Sequence, residues 1–555
     1  MPIRQWWSVL VAGMLAVAAG LTCLILADRG LRTEAVRAGG VPVEIVRGPG
    51  ATGARPAVVV VHGYAGSGRL MRPFADTLAR RGYVVLLPDL AGHGANTRRL
   101  DVPAVIDAEI ASVVAHARGL PDVDPDRVTL LGHSMGAGAV VRAGAADRRI
   151  AATVAISLPG SGTGPGPRRL LLIVGALEPG GFRTAAERAA GDRAAGDRRL
   201  VSVPLVEHIS VLFAPRTHRE AAGWLDAAAG NAAAGNTAAG AGIVPLRRVA
   251  AGALTMLGAL LLLAAALARG GTGSPAGRPP NAAAATSRAS TIRALVARWP
   301  ANVAASAIRR PADSASPASA IPRSADSAAS TSPASEVRRP AGFAAPTSPA
   351  SATRADPVRR PVTWLAVAAA SVLGVLGGGI GAVAAPAPVT GYLIGFFAAV
   401  GGGLALAAGL LTGWRRPPVP RWTAAVPALA GGAAVVVPVQ LGLTLMVPHG
   451  DRWWLVAALA LATAALLAGA RALAGPGWDL AVLAGTAVPL AAAAVTGLAP
   501  GFLMLIAPLL AVLFALCALL AAVARRGGAA WWPSIAAGAV MIAWPVAVAL
   551  PVSAG

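Results

Sequence analysis

Between Thr363 and Val552 seven apolar runs follow one another in close order, and this limits what that part of the chain can fold into. They are Thr363 to Ala385, Gly391 to Gly413, Trp422 to Val447, Trp453 to Ala470, Leu480 to Ala499, Phe502 to Ala524 and Trp531 to Val552. A helix needs roughly 20 such residues to cross about 30 Å of hydrocarbon. Trp364, Trp414, Trp422, Trp453, Trp454, Trp478 and Trp531 stand at or near the run ends, where indole favours the headgroup boundary. Buried helices of a soluble protein have no reason for that placement. Two earlier runs, Trp6 to Ala27 and Ile243 to Ala268, raise the expected number of spanning helices to nine.

The first of these could be a cleaved signal peptide. Its apolar core is long for one, and Leu26-Ala27-Asp28 lacks a small-x-small cleavage site, so an uncleaved anchor is expected. A net charge of +23 would suggest nucleic acid as the partner of a soluble domain. Here there is no lysine, aromatics are only 4%, and the arginines gather between apolar runs, so no nucleic acid partner is expected. Cys23 and Cys517 both lie inside apolar runs, with no Cys-x-x-Cys or Cys/His cluster, which supports neither a disulfide framework nor a metal site. No cofactor is expected.

Residues 270–362 are built from Ala, Ser, Pro and Arg. Ser-Pro-Ala-Ser recurs at Ser316, Ser332 and Ser348, and Arg-Arg-Pro at Arg309, Arg338 and Arg359, a pattern expected of a disordered linker. With the N-terminus (1–5) in the cytoplasm, this linker, Arg415, Arg416, Arg421, Arg471, Arg525 and Arg526 all fall on the cytoplasmic side. The opposite loops are nearly uncharged except at His449-Gly450-Asp451-Arg452. The region between the first two spans then lies outside the cytoplasm. Its arginines at Arg29, Arg32, Arg37, Arg247 and Arg248 are tolerated there because long translocated domains obey the charge rule poorly.

That region, 41–231, changes pattern to short β-branched strands alternating with helical stretches, an α/β signal. Strands are expected at Val41–Val46, Ala57–Val61, Tyr83–Pro88, Val128–Leu131, Ala151–Ile156, Leu170–Val174 and Leu200–Val203. Crossover helices are expected at Leu70–Arg81, Val102–Gly119 and Met135–Ala146. The domain plan is therefore an anchor (6–27), the α/β domain, a second span (243–268), the linker and a membrane domain of about seven helices (363–552).

Three motifs follow strands in this region. The run Val58 to Val61 ends in His62-Gly63-Tyr64-Ala65-Gly66, the next strand in Asp89-Leu90-Ala91-Gly92-His93-Gly94, and Val128 to Leu131 in Gly132-His133-Ser134-Met135-Gly136. The last reads as a nucleophile elbow, in which a serine sits on a strained strand-to-helix turn between small residues. In this combination and order the segment from about Val41 to Asp226 resembles the α/β-hydrolase superfamily. The branch it looks most like is that of compact esterases, dienelactone-hydrolase-like and serine-aminopeptidase-like members. The resemblance implies an α/β hydrolase fold, a minimal parallel-sheet α/β/α sandwich without a lid, joined here to an all-α polytopic membrane domain.

The family's order of nucleophile, acid and base implies Ser134, then an acid beyond a following strand, then histidine. Glu178 fits the acid position, although aspartate is usual there; Glu187, Asp192 and Asp197 are substitutes in a stretch expected to face solvent. His208 fits the base, whereas His218 beside Arg219 is expected at the surface. His62, His93 and His133 are expected to brace turns. The family pattern also implies Tyr64 and Met135 as backbone oxyanion donors. Only a Gly/Pro loop, Ser157 to Arg169, stands where relatives insert a lid, so an open site is expected. The expected substrate is a carboxylic ester, with lipid-linked or envelope acyl groups leading and a peptide or amide bond ranked below. The competing expectation is an inactive, ligand-binding hydrolase-like domain on a membrane scaffold or transport protein.

Overall fold

In the computed structural model the hairpin strands β1 (Arg32–Ala38) and β2 (Val41–Arg47) pair antiparallel across Gly39-Gly40. Both glycines take positive φ, which this two-residue turn requires. β1 has no counterpart among the expected strands. Its sequence Arg-Thr-Glu-Ala-Val-Arg-Ala is almost wholly exposed and carries no apolar run, as suits an edge strand. The sheet continues with β3 (Arg55–Val61), β4 (Val84–Pro88), β5 (Val123–His133), β6 (Thr153–Ile156), β7 (Leu170–Gly175) and β8 (Arg198–Val203). The strand order is β1-β2-β4-β3-β5-β6-β7-β8; β2 and β4 are antiparallel, and all neighbours from β4 onward are parallel.

Alternation along the strands divides the core into two layers. Val58 and Val60 point to one face, where they meet α2 (Arg72–Ala79) and α6 (Pro215–Ala229). Val59 and Val61 point to the other and meet α3 (Pro103–Arg118) and α4 (Met135–Ala146), with α5 (Gly180–Ala190) beyond. Both faces of the sheet are covered, which is why β3 reads as an unbroken valine run.

The structure describes residues 3–49, 53–100, 103–160, 166–191, 197–230, 244–270, 359–412, 425–474, 479–526 and 531–552. Most of the expected linker (271–358), the arginines Arg415, Arg416 and Arg421, and Asp192 lie outside these residues. Apolar helices occupy every position expected to span: α1 (Ile3–Asp28), α7 (Val244–Gly270), α8 (Arg359–Ala384), α9 (Pro388–Thr412), α10 (Ala425–Gly442), α11 (Arg452–Ala474), α12 (Asp479–Val495), α13 (Leu503–Arg526) and α14 (Trp531–Ala549). Among the described residues, seven of them are long and apolar enough to cross a membrane, where the sequence predicts nine. α10 and α12 are shorter. Each contains a proline, Pro438 and Pro489, and the apolar run of each continues past the helix end as a turn.

The α/β domain and these helices form one compact unit drawn from 1–273 and 357–555. Arg452, at the start of α11, is buried and donates to the carbonyls of Gly92 and Gly94. Past α14, Val552 exchanges backbone hydrogen bonds with Gly92 (3.1 Å) and Leu100 (3.0 Å). Beyond α10, Thr444 bonds the Ser67 hydroxyl at 2.8 Å. Ahead of α13, the Phe502 ring meets Tyr64 edge-on at 4.8 Å. The starts of α11 and α13 thus both lie against the α/β domain, so the short α12 must return the chain between them. On the other flank Arg248 of α7 bridges Asp76 of α2 (2.5 Å) and Asp28 of α1 (2.5 Å), and Arg72 joins the same carboxylates.

Candidate active site

At the end of β5 the backbone turns sharply: Ser134 has φ 52° and ψ −118°, and α4 begins at the next residue. Such a conformation costs about 1–3 kcal/mol for a non-glycine residue and persists only where packing enforces it. A Cβ on Gly132 would run into the Gly136 carbonyl, and one on Gly136 into the His62 carbonyl, so both flanking positions need glycine. The Ser134 N–H donates to the Ile156 carbonyl (2.8 Å), which ties the turn to β6.

Two loops meet this serine. After β8, His208 is 4% exposed, with Nε2 3.1 Å from Ser134 Oγ and Nδ1 3.1 Å from Glu178 Oε2. Since a carboxylate only accepts, Nδ1 carries the proton and Nε2 is left to receive one from serine. Glu178, after β7, is held on its other oxygen: Oε1 accepts from the Ser157 hydroxyl and from the Gly175 N–H, each at 2.7 Å. The structure therefore brings Ser134, His208 and Glu178 into one hydrogen-bonded chain. Glu187 is an exposed residue of α5 and does not take part. Asp197 lies near Arg169, 3.7 Å away, at the opposite end of β8.

Ser157 is a site residue that the sequence reading missed. It sits at φ 55° after β6, in a Ser/Gly/Pro stretch where a single serine carries no signal. Three buried histidines hold the loops. The His133 Nε2–H donates to the His208 carbonyl (2.9 Å), His62 Nε2 accepts from the Leu90 N–H (3.1 Å), and the His93 Nδ1–H donates to Ala91 O (2.8 Å). Burial lowers the pKa of all three, that of His133 to about 3, so they brace the loops as neutral rings. The Phe182 ring lies 4.5 Å from that of His208 and covers its flank.

His218 corrects the sequence reading. It is buried rather than on the surface: it stacks on Phe74 at 4.0 Å, shares a hydrogen bond with the Thr77 hydroxyl and donates to Leu212 O. Its place on α6 faces α2, and Arg216 and Arg219 take the outer side. This ring makes no contact with Ser134.

The two expected donors stand beside the serine. Met135 opens α4, so its N–H has no partner within the helix. Tyr64 follows Gly63, where a Cβ would press on Ser134 Cβ, and among the described residues its N–H meets no acceptor. Burial raises the Tyr64 phenol to about 12, which keeps it protonated. Among the described residues no cluster of three or more His, Cys, Asp or Glu is arranged to hold a metal ion.

Residues 56–201 match the family model described as alpha/beta hydrolase fold. The quorum-quenching protein AidA of Acinetobacter baumannii is 32% identical over 106 residues, which cover 18% of this chain and 34% of AidA. The curated relatives are thus matched over about a third of their length or less. Among solved structures, a hypothetical protein of Pseudomonas aeruginosa is similar at 16% identity and TM-score 0.31, covering 36% of this chain and 93% of that one. Est1E of Butyrivibrio proteoclasticus, solved with ferulic acid, is similar at 17% identity and TM-score 0.30, covering 35% and 98%. Sheet order, the turn at Ser134 and the family match agree: the N-terminal portion of this chain is an α/β hydrolase-fold domain.

Proposed function

We propose that the chain is a membrane-anchored serine hydrolase that cleaves a carboxylic ester through an acyl-enzyme at Ser134. The observation that carries this reading is the relay of two 3.1 Å contacts from Ser134 Oγ through His208 to Glu178. Ser134 Oγ attacks the ester carbonyl carbon while its proton passes to His208 Nε2. The tetrahedral oxyanion is received by the Tyr64 and Met135 N–H groups, each such donor being worth about 3–4 kcal/mol in the transition state. The C–O bond to the alcohol breaks, and the alcohol leaves with the proton from His208. A water then repeats the sequence, its proton going to His208 and returning to Ser134 as the carboxylic acid departs. Glu178 fixes the imidazole tautomer and stabilises the imidazolium between steps.

The domain is read as extracytoplasmic, in a multi-pass protein of the cell membrane. Support comes from the loops that touch it, after α10 and α12 and beyond α14, which all fall on the nearly uncharged side of the arginine distribution. A fluorophosphonate probe applied to membranes should label the wild type and not Ser134→Ala. Absence of wild-type labelling, or equal labelling of the variant, would favour an inactive ligand-binding domain. For sidedness, an impermeant thiol reagent should reach a cysteine placed near Arg55, at the exposed Ala54, in intact cells and not one placed at Ser330.

A further inference from the structure

An apolar cleft of about 270 Å³ lies between α12 and α13, floored by Phe396 and Phe397 of α9. None of its lining residues is charged, and its one hydroxyl, on Thr486, is already bonded to the Leu483 carbonyl at 2.8 Å. The open side is lined by small residues, Ala484 and Ala487 on α12 and Ala507 and Ala511 on α13, all exposed. Nothing in such a cleft could orient a polar ligand; it offers only hydrocarbon contact.

Its length and its two ends identify the occupant. From Leu503 to Phe514 the cleft runs along α13 for about 17 Å at 1.5 Å per residue. That is close to the depth of one leaflet, half of the roughly 30 Å hydrocarbon core. The Leu503 end lies next to Phe502, whose ring meets Tyr64, and Tyr64 adjoins Ser134 through Gly63. A second observation points the same way. Leu177, Leu205 and Ile209, on the two loops that carry Glu178 and His208, are 63%, 87% and 43% exposed at the strand-end face that also carries Tyr64. Apolar side chains so placed suit a lipid surface rather than water.

We propose that the cleft between α12 and α13 holds the hydrocarbon chain of an acyl ester drawn from the leaflet beside the α/β domain. Its carbonyl end is thereby presented at Ser134. The membrane helices do for this enzyme what an inserted lid would do elsewhere: they supply the acyl pocket. This rests on the serine hydrolase reading and narrows its substrate class to long-chain esters of membrane lipids.

The test uses the full-length chain in lipid nanodiscs and a long-chain alkyl fluorophosphonate bearing a terminal diazirine. Ser134 Oγ displaces fluoride from phosphorus, and photolysis then marks where the chain end lies. Crosslinks should map to residues 483–494 and 503–514. Labelled Ser134 with crosslinks confined to the α/β domain would overturn the cleft alone; no label at Ser134 would overturn the hydrolase reading and the cleft with it. In parallel, Ala487→Trp and the milder Ala487→Leu should lower the ratio of kcat/KM for a long-chain to a short-chain ester, the former by at least 10-fold. Monodispersity and thermal midpoint check that both variants are folded. Leu461→Trp, on a lipid-facing position of α11, should leave the ratio unchanged. An unchanged ratio in Ala487→Trp would overturn the proposal.

Discussion

The Ser157 hydroxyl donates to Glu178 Oε1 at 2.7 Å, so the carboxylate that faces His208 is positioned from the strand beside its own. Among the described residues the Ser157 hydroxyl bonds Glu178 and not Ser134. Its role is to stop the carboxylate from rotating away from Nδ1. Ser157→Ala should therefore lower kcat by about 10-fold, the equivalent of about 1.4 kcal/mol, near the lower edge of what one hydrogen bond to a charged group contributes. KM for a short-chain ester should stay within twofold. A KM effect larger than the kcat effect would show that Ser157 shapes binding instead.

Glu178 fills a position where aspartate is usual, and the extra methylene lets it reach His208 while Gly175 and Ser157 hold its other oxygen. Glu178→Asp would pull the carboxylate back by one carbon and lose part of this set. A fall in fluorophosphonate labelling rate of about 10- to 100-fold is expected. Glu178→Gln, which keeps the shape but removes the charge and can present an N–H to the imidazole, should fall further, by about 10³ to 10⁴. Equal rates for the two variants would mean that the charge on this residue does not matter.

Some of this architecture is legible in the residues themselves. Gly132 and Gly136 announce the turn because no side chain fits there, and strand-ending motifs in order point to Glu178 and His208. What is hidden depends on partners far away in the chain. Nothing near Ser157 says that a carboxylate 21 residues on will need it. Nothing near Gly92 says that its carbonyl will meet a guanidinium from a helix 360 residues later. One trace was visible: His449-Gly450-Asp451-Arg452 is the charged exception among nearly uncharged loops. In the structure Asp451 pairs with Arg99 at 3.0 Å while Arg452 enters the Gly92 turn. His218 misleads because its neighbours Arg216 and Arg219 are exposed, whereas burial is set by which side of α6 faces α2.

The buried histidines make the domain sensitive to acid. Burial lowers His218 to about 4 and His133 to about 3, below the ordinary value of 6.5. Between those values the unfolded chain binds protons that the folded one refuses, so stability falls as pH drops below about 6.5 and stops falling once the folded value is passed. For His218 alone the loss reaches about 3 kcal/mol by pH 4. Thermal midpoints of the detergent-purified chain should decline from pH 6.5 to 4.5, and His218→Phe, which keeps the stack on Phe74, should flatten that decline. A midpoint that does not change across this interval would count against neutral burial of these rings.

Arg452 joins the apolar helices to the loop that carries Asp89-Leu90-Ala91-Gly92-His93-Gly94. On its inner side that loop is held by Asp89, which accepts from the Gly68 (2.7 Å) and Ala95 (2.8 Å) N–H groups, and by Glu109, which accepts from the Ala91 N–H (2.8 Å). On its outer side Arg452 and Val552 satisfy Gly92 and Leu100. Arg452→Leu would leave the Gly94 carbonyl without its donor and the Gly92 carbonyl with the Val552 N–H alone, at a cost of about 1–3 kcal/mol for the stranded group. Lysine offers a point charge rather than a fork, so Arg452→Lys should restore only part of the loss. Because His93 of the same loop packs against Tyr64 at 5.8 Å, loosening it should also slow labelling of Ser134. Limited proteolysis with mass mapping would read the first effect as new cleavage between Gly92 and Leu100. If Arg452→Leu changes neither cleavage nor labelling, the apolar helices carry the α/β domain without shaping its site.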